Sequence, residues 1–206
     1  MSEGDKSFLS ESSCSSCRST ENQILDVTPS SKNSDLVFDE ISVQEKFAPN
    51  SICFGCGPAN KEGLKIKSHR HNEGLLTIFE SEEKHQAFPG VINGGIIGSL
   101  IDCHGNWTAA IAIMDKNGWK VPQCTVTAQY EVKLKRPTPF GSKLKLTSRV
   151  LALQEDRAEV IVELKANDKT CATGRGLFVA VKEGHPAYHR WHCCLLYTSD
   201  AADDDA

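Results

Sequence analysis

Apolar and small residues run almost without a break from residue 96 to residue 114, which is how a helix buried on every side reads. Only Asp102, His104 and Asn106 interrupt it. Just upstream, Asn93 is a good N-cap, and Gly94 and Gly95 leave the first turn of the predicted helix without side chains. Downstream the period changes from helical to two. Residues 125–135 alternate as a half-exposed strand, and residues 143–153, 158–165 and 171–182 read as three more, with Glu155-Asp156 and Asn167-Asp168 as hairpin turns. Two earlier strands are expected over 64–69 and 75–80, joined by a turn at Asn72-Glu73-Gly74. Phe88-Pro89-Gly90 makes residues 85–93 an irregular loop that delivers the chain to the helix. A single buried helix followed by short strands on short connections predicts an α+β domain in which an antiparallel sheet curls around the helix.

The ends of the 206-residue chain do not share this pattern. Residues 1–45 hold twelve serines and few large apolar residues, so they are expected to be a disordered acidic extension. Residues 187–206 are read as a tail. From 190 onward, notably Cys194-Leu195-Leu196-Tyr197-Thr198-Ser199-Asp200, they resemble an in-frame translation of a sequencing-library adapter and carry no weight here. The folded domain is therefore placed at 46–186. The net charge of -4 hides an asymmetry, because the acids concentrate in the two ends and residues 46–189 carry a net +5. A mildly basic domain without interleaved aromatic residues suits a small anionic ligand better than a nucleic acid. No membrane span is expected, since the one long apolar run contains Asp102 and opens on two glycines. Nine scattered cysteines and no secretory core at the N-terminus point to reduced thiols and a cytoplasmic location.

Asp102 is the residue on which a functional reading turns. A carboxylate inside a buried helix costs several kcal/mol unless it is paired or opens onto a cavity. It is either a working group or one half of a pair with His104 or a lysine that fixes the helix register. Gly94 and Gly95 are equally ambiguous. Bare backbone N–H groups at a helix N-terminus can stabilise an oxyanion, and glycines there also allow close packing against a strand. Cys53-Phe54-Gly55-Cys56 is half of a zinc site with no second pair of comparable spacing, so a turn with small buried thiols is the expected reading. Cys14-Ser15-Ser16-Cys17 lies in the serine tract without an ordered frame. His104 reads as a satisfied core or interface histidine, and His85 as a loop residue that either lines an entrance or is simply solvated.

Taken together, the Cys-x-x-Cys-Gly turn, Gly63-Leu64, the Pro89-Gly90 loop, Asn93-Gly94-Gly95 with an acid nine residues after Asn93, and Thr127-Ala128 followed by Lys135-Arg136-Pro137 resemble the hotdog-fold thioesterases, in particular their PaaI-type branch. The resemblance spans about residues 50–183. It implies a hotdog fold, with five or six antiparallel strands wrapped around one long central helix, dimers or tetramers, and hydrolysis of acyl thioesters with neither metal nor organic cofactor. Carried over by position, it makes Gly94 the backbone donor to the thioester oxygen, Asp102 the base or nucleophile, Thr127 its support and Asn106 a polar helper. Asn93 departs from the family, which usually has His there. Asn can cap the helix and donate a hydrogen bond, but it carries no proton at neutral pH.

Helix geometry adds one constraint. Eight residues at about 1.5 Å separate Gly94 from Asp102 by roughly 12 Å, too far for both to touch one carbonyl group. The acid is therefore expected from a second copy of the chain. Gly95 and His85 are candidate substrate contacts. Lys135, Arg136 and Lys143, in an acid-free span, are candidates for the phosphates of coenzyme A, with a solvated outer face as the alternative. The function expected is acyl-CoA thioesterase; a non-catalytic acyl-CoA-binding module on the same fold is the alternative.

Overall fold

The computed structural model describes residues 41–191. In chain order they form α1 (Val43–Phe47), β1 (His69–His71), β2 (Gly74–Phe79), a 3-10 turn at Glu83–His85, β3 (Gln86–Phe88), β4 (Val91–Ile92), α2 (Gly94–Asn117), β5 (Thr125–Leu134), β6 (Leu144–Leu153), β7 (Arg157–Ala166) and β8 (Lys169–Ala180). Six strands make one antiparallel sheet in the order β1-β2-β6-β7-β8-β5, and α2 lies across it. This is the hotdog arrangement. None of the described helices is long and apolar enough to cross a membrane.

Helix α2 is bounded as its sequence dictates. The Asn93 side chain accepts from Gly95 N–H at 2.7 Å, and Gly118 closes the other end in the left-handed region at φ 66°. Its faces are buried by alternate residues of the sheet. In β7, Ala158, Val160, Val162, Leu164 and Ala166 point inward and are buried, while the residues between them are half-buried on the outer face. Each such Val or Leu contributes roughly 1.5–3 kcal/mol. The helix rides directly on β8: a Cβ added to Gly174 would lie 2.2 Å from Ile101 Cγ2, so only glycine fits there.

Three local expectations need correction. Residues 64–68 are not a strand. Leu64 and Ile66 N–H donate to Phe54 and Gly55 carbonyls, Lys65 takes φ 50°, and Ser68 N–H is held by the Gln44 side chain, so this segment pairs with the cysteine loop rather than the sheet. Residues 85–93 are not wholly irregular, because β3 and β4 form a small hairpin that turns at Pro89-Gly90. Packing also reaches beyond 46–186 at both ends. Ser42 caps α1 in a capping box with Glu45, with Val43 and Gln44 buried, and Trp191 stacks on Trp107 at 4.1 Å between ring centroids. The serine-rich stretch up to residue 40 and the chain from 192, including Cys14, Cys17, Cys193 and Cys194, lie outside the described residues.

His104 is fully buried in a polar knot between helix and sheet. Its Nδ1 lies 2.9 Å from Ser68 Oγ and 3.0 Å from Thr77 Oγ1, and its Nε2 lies 3.3 Å from the Leu75 carbonyl. Burial pushes its pKa down to about 4, so it is a neutral core residue that ties residue 68 and β2 to α2.

Candidate active site and the thiol cluster beside it

One stripe of α2 holds the candidate residues. Gly94, Gly98, Asp102 and Asn106 recur every four residues and therefore share a face. Strand β5 runs the opposite way along that face. Leu134 Cδ1 lies 3.3 Å from where a Cβ on Gly94 would be, Tyr130 Oη 3.8 Å from the same point on Gly98, Thr127 Oγ1 donates to Asp102 Oδ1 at 2.7 Å, and Thr125 Oγ1 donates to Asn106 Oδ1 at 2.9 Å. Strand β5 is one edge of the sheet, paired among the described residues only with β8, and Ala128 through Glu131 are exposed along it. Between Thr127 and Gln129 the pairing shifts by one residue, a bulge at Ala128 beside the carboxylate.

Asp102 is half-buried. Burial raises its pKa above the ordinary carboxylate value, and the Thr127 hydroxyl opposes this by donating to the charged form; a Cys53 thiolate nearby adds to the rise and Arg190 counters it. The result is a carboxylate that keeps one oxygen bound to Thr127 and has the other for chemistry. No partnership with His104 or a lysine exists among the described residues; His104 is engaged elsewhere. Asn106 is less available than its spacing suggests, because Thr125 takes its carbonyl and its amide donates to the Thr125 carbonyl at 3.2 Å.

The helix tip sorts the glycines. Gly95 N–H is consumed by Asn93, whereas no described group accepts from Gly94 N–H. Gly94, not Gly95, can therefore meet an oxyanion. His85 does not line an entrance. It is 3% exposed, its Nδ1 accepts from Glu82 N–H at 3.0 Å, burial lowers its pKa, and its carbonyl accepts from Asn93 N–H at 2.9 Å, so it fixes the N-cap from below. Lys135 and Arg136 follow Leu134 directly and are exposed beside the Gly94 tip, with both backbone N–H groups anchored on the Cys171 carbonyl. Lys143 is drawn to Glu80 at 3.2 Å instead. A cavity of about 670 Å³ opens on the outer face of the sheet among His71, Glu73, Arg149, Ile161, Glu163 and Thr173, and Asp102 does not line it.

Next to Asp102 the sequence reading missed a third thiol. Cys103 meets Cys53 and Cys56, and the three sulfurs lie within 4.8 Å of one another. Cys53 Sγ and Cys103 Sγ are 3.8 Å apart, and Trp107 Nε1–H donates to Cys56 Sγ at 3.3 Å. The Cys103 thiol, then Cys56, and then the backbone N–H groups of Cys56 and Gly55 hold Cys53 far below the usual thiol range, and Cys103 is raised correspondingly. A search for a second closely spaced cysteine pair could not find Cys103, which sits alone in a helix. Its position beside the polar break at Asp102 was the only available signal.

Comparison with known proteins supports the architecture. No protein-family model matches the sequence, and no curated protein matches it. Among solved structures, the chain is similar to a thioesterase superfamily protein from Shewanella loihica, with 29% identity over 61% of this chain and 98% of that one at a TM-score of 0.49. It is also similar to another protein described as from the thioesterase superfamily (21% identity, 68% of this chain, 96% of that one, TM-score 0.52). An uncharacterised protein from Pyrococcus horikoshii aligns as well (14% identity, 65% and 95%, TM-score 0.50). The last two share the fold described above.

Proposed function

We propose that this hotdog-fold chain, whose architecture is shared with a thioesterase-superfamily protein, hydrolyses acyl thioesters of coenzyme A at a site built between two copies. The observation that carries the reading is the Asp102 carboxylate, set in a largely buried helix, hydrogen-bonded by Thr127 and left half open on the face that β5 does not fully cover.

Asp102 and Gly94 share that stripe about 12 Å apart. Two helices running antiparallel across a shared face bring Gly94 of a second copy opposite Asp102 of the first. The thioester oxygen then rests on that Gly94 N–H, at the positive end of the helix dipole. Asp102 takes a proton from water as the water oxygen bonds to the carbonyl carbon. The tetrahedral oxyanion collapses, the carbon–sulfur bond breaks, and the thiolate leaves with the proton returned from Asp102. Direct attack by Asp102, giving an anhydride that water opens, uses the same atoms. Arg136 and Lys135, beside the tip that holds the carbonyl, suit the nucleotide phosphates of coenzyme A.

The test is thiol release from a panel of acyl-CoA thioesters. Wild-type chain should hydrolyse at least one, and Asp102→Asn should lose turnover while still binding it. Because Asn93 cannot shuttle a proton, the second reading is an acyl-CoA-binding module without catalysis. Binding across the panel with no release by the wild type would select it.

A further inference from the structure

We infer that Cys53, Cys56 and Cys103 form a zinc site that clamps the 51–68 segment to helix α2 next to Asp102. This goes beyond the proposed hydrolysis and stands on the sulfur geometry alone. Zinc holds thiolates at about 2.3 Å in a tetrahedron, which puts neighbouring sulfurs about 3.8 Å apart. Cys53 Sγ and Cys103 Sγ are 3.8 Å apart, and all three sulfurs fall within 4.8 Å of one another. A disulfide would need that separation to shrink to about 2.05 Å and would leave the third sulfur idle.

The surroundings fit a thiolate–metal centre. The Trp107 indole N–H donates to Cys56 Sγ at 3.3 Å, so that sulfur has a donor outside the metal position. The loop has to be tight for this: a Cβ on Gly55 would lie 2.4 Å from Cys103 Sγ, and one on Gly57 2.4 Å from both Cys53 N and the Ser51 carbonyl. Cys103 is buried on a rigid helix, and Cys53 is half-exposed, which provides an entry path. Three soft sulfur ligands select zinc over magnesium or calcium. The three thiols bind as thiolates, releasing their protons, and the fourth tetrahedral position is left for water.

The test uses the full chain, purified under reducing conditions, reconstituted with zinc and desalted, with metal measured by plasma emission. About one zinc per chain is expected, and it should persist when Cys14, Cys17, Cys193 and Cys194 are all replaced by Ser. Cys53→Ser and Cys103→Ser should each fall to about one-tenth of that, while Cys171→Ser keeps it. Cobalt in place of zinc should show sulfur-to-metal charge-transfer bands and tetrahedral visible bands in the wild type, a readout that stands even if a Cys103 variant fails to fold. A reconstituted wild-type chain with less than about one-tenth equivalent of zinc overturns the site. So does zinc that survives Cys103→Ser in a folded chain, or that disappears with the four terminal cysteines.

Discussion

Thr127 Oγ1 donates to Asp102 Oδ1 at 2.7 Å, joining an edge strand of the sheet to the half-buried carboxylate of its central helix. A hydrogen bond to a charged group is worth about 1.5–3 kcal/mol. Thr127→Val keeps the shape of the side chain and removes the donor. If that bond holds Asp102 in its reacting orientation, kcat for acyl-CoA hydrolysis should fall about 10- to 100-fold with KM little changed, and Thr127→Ser should recover most of it. Steady-state kinetics on the three chains checks this; an equal loss in Thr127→Ser would mean that packing, not the hydroxyl, matters.

Gly94 is the first residue of α2, a position at which proline is tolerated because its missing N–H has no helical partner. Gly94→Pro therefore removes the proposed oxyanion donor without breaking the helix. It and Asp102→Ala should each be inactive alone. Refolded together in equal amounts, they should regain about one quarter of wild-type activity, because half of the random dimers are mixed and each carries one intact site. Activity that stays at the level of the single variants would place both groups in one chain's own site.

Arg136 is exposed two residues beyond Leu134, whose side chain lies against Gly94. Arg136→Ala should raise KM about 10-fold for an acyl-CoA, and leave a short thioester lacking the nucleotide unchanged. A parallel rise for both substrates would remove phosphate recognition from its role.

Glu45 gives a pH-dependent stability. Its carboxyl is held down at about 2, against an ordinary 4.5, first by the Lys67 ammonium at 2.6 Å and then, against the opposing effect of burial, by Ser42. A lowered folded pKa contributes stability that is complete above about pH 4.5 and is lost as pH falls from there through about 2. Both partners are partly solvated, so the effect is about 1 kcal/mol or less and weakens with salt. Urea unfolding of wild type and Glu45→Gln should show a constant gap above pH 5 that closes toward pH 2. A gap that is the same at pH 2 and pH 7 would exclude the ion pair as its source.

The central helix and the last four strands were legible because each is a long element with a clean period and ordinary ends: Asn93 to begin the helix, Gly118 to end it, Asn167-Asp168 in the left-handed region between β7 and β8. What sequence could not show depends on residues far apart in the chain. Asn106 sits one turn from Asp102 and reads as a helper, but Thr125 occupies it, and that pairing exists only once β5 is laid along the helix. Leu64 to Ser68 has strand-like composition, yet its hydrogen bonds go to Phe54, Gly55 and Gln44. Cys103 shares no local motif with Cys53 and Cys56, and tertiary packing alone makes the cluster. His85 looked solvated from its loop, but stacking on Phe79 and a bond from Glu82 bury it.

The irregularity at Ala128 sets the phase of everything after it. Thr127 pairs with Phe178 and Tyr130 with Gly176, so three steps along β5 correspond to two along β8. Strict alternation from Thr127 would instead turn Gln129, Glu131 and Lys133 toward the glycines of α2 and send Tyr130 and Leu134 outward. One surplus amino acid thus decides whether the helix ridge is lined by an aromatic ring and an aliphatic chain or by two opposite charges, and it does so within a residue of the hydroxyl that grips Asp102.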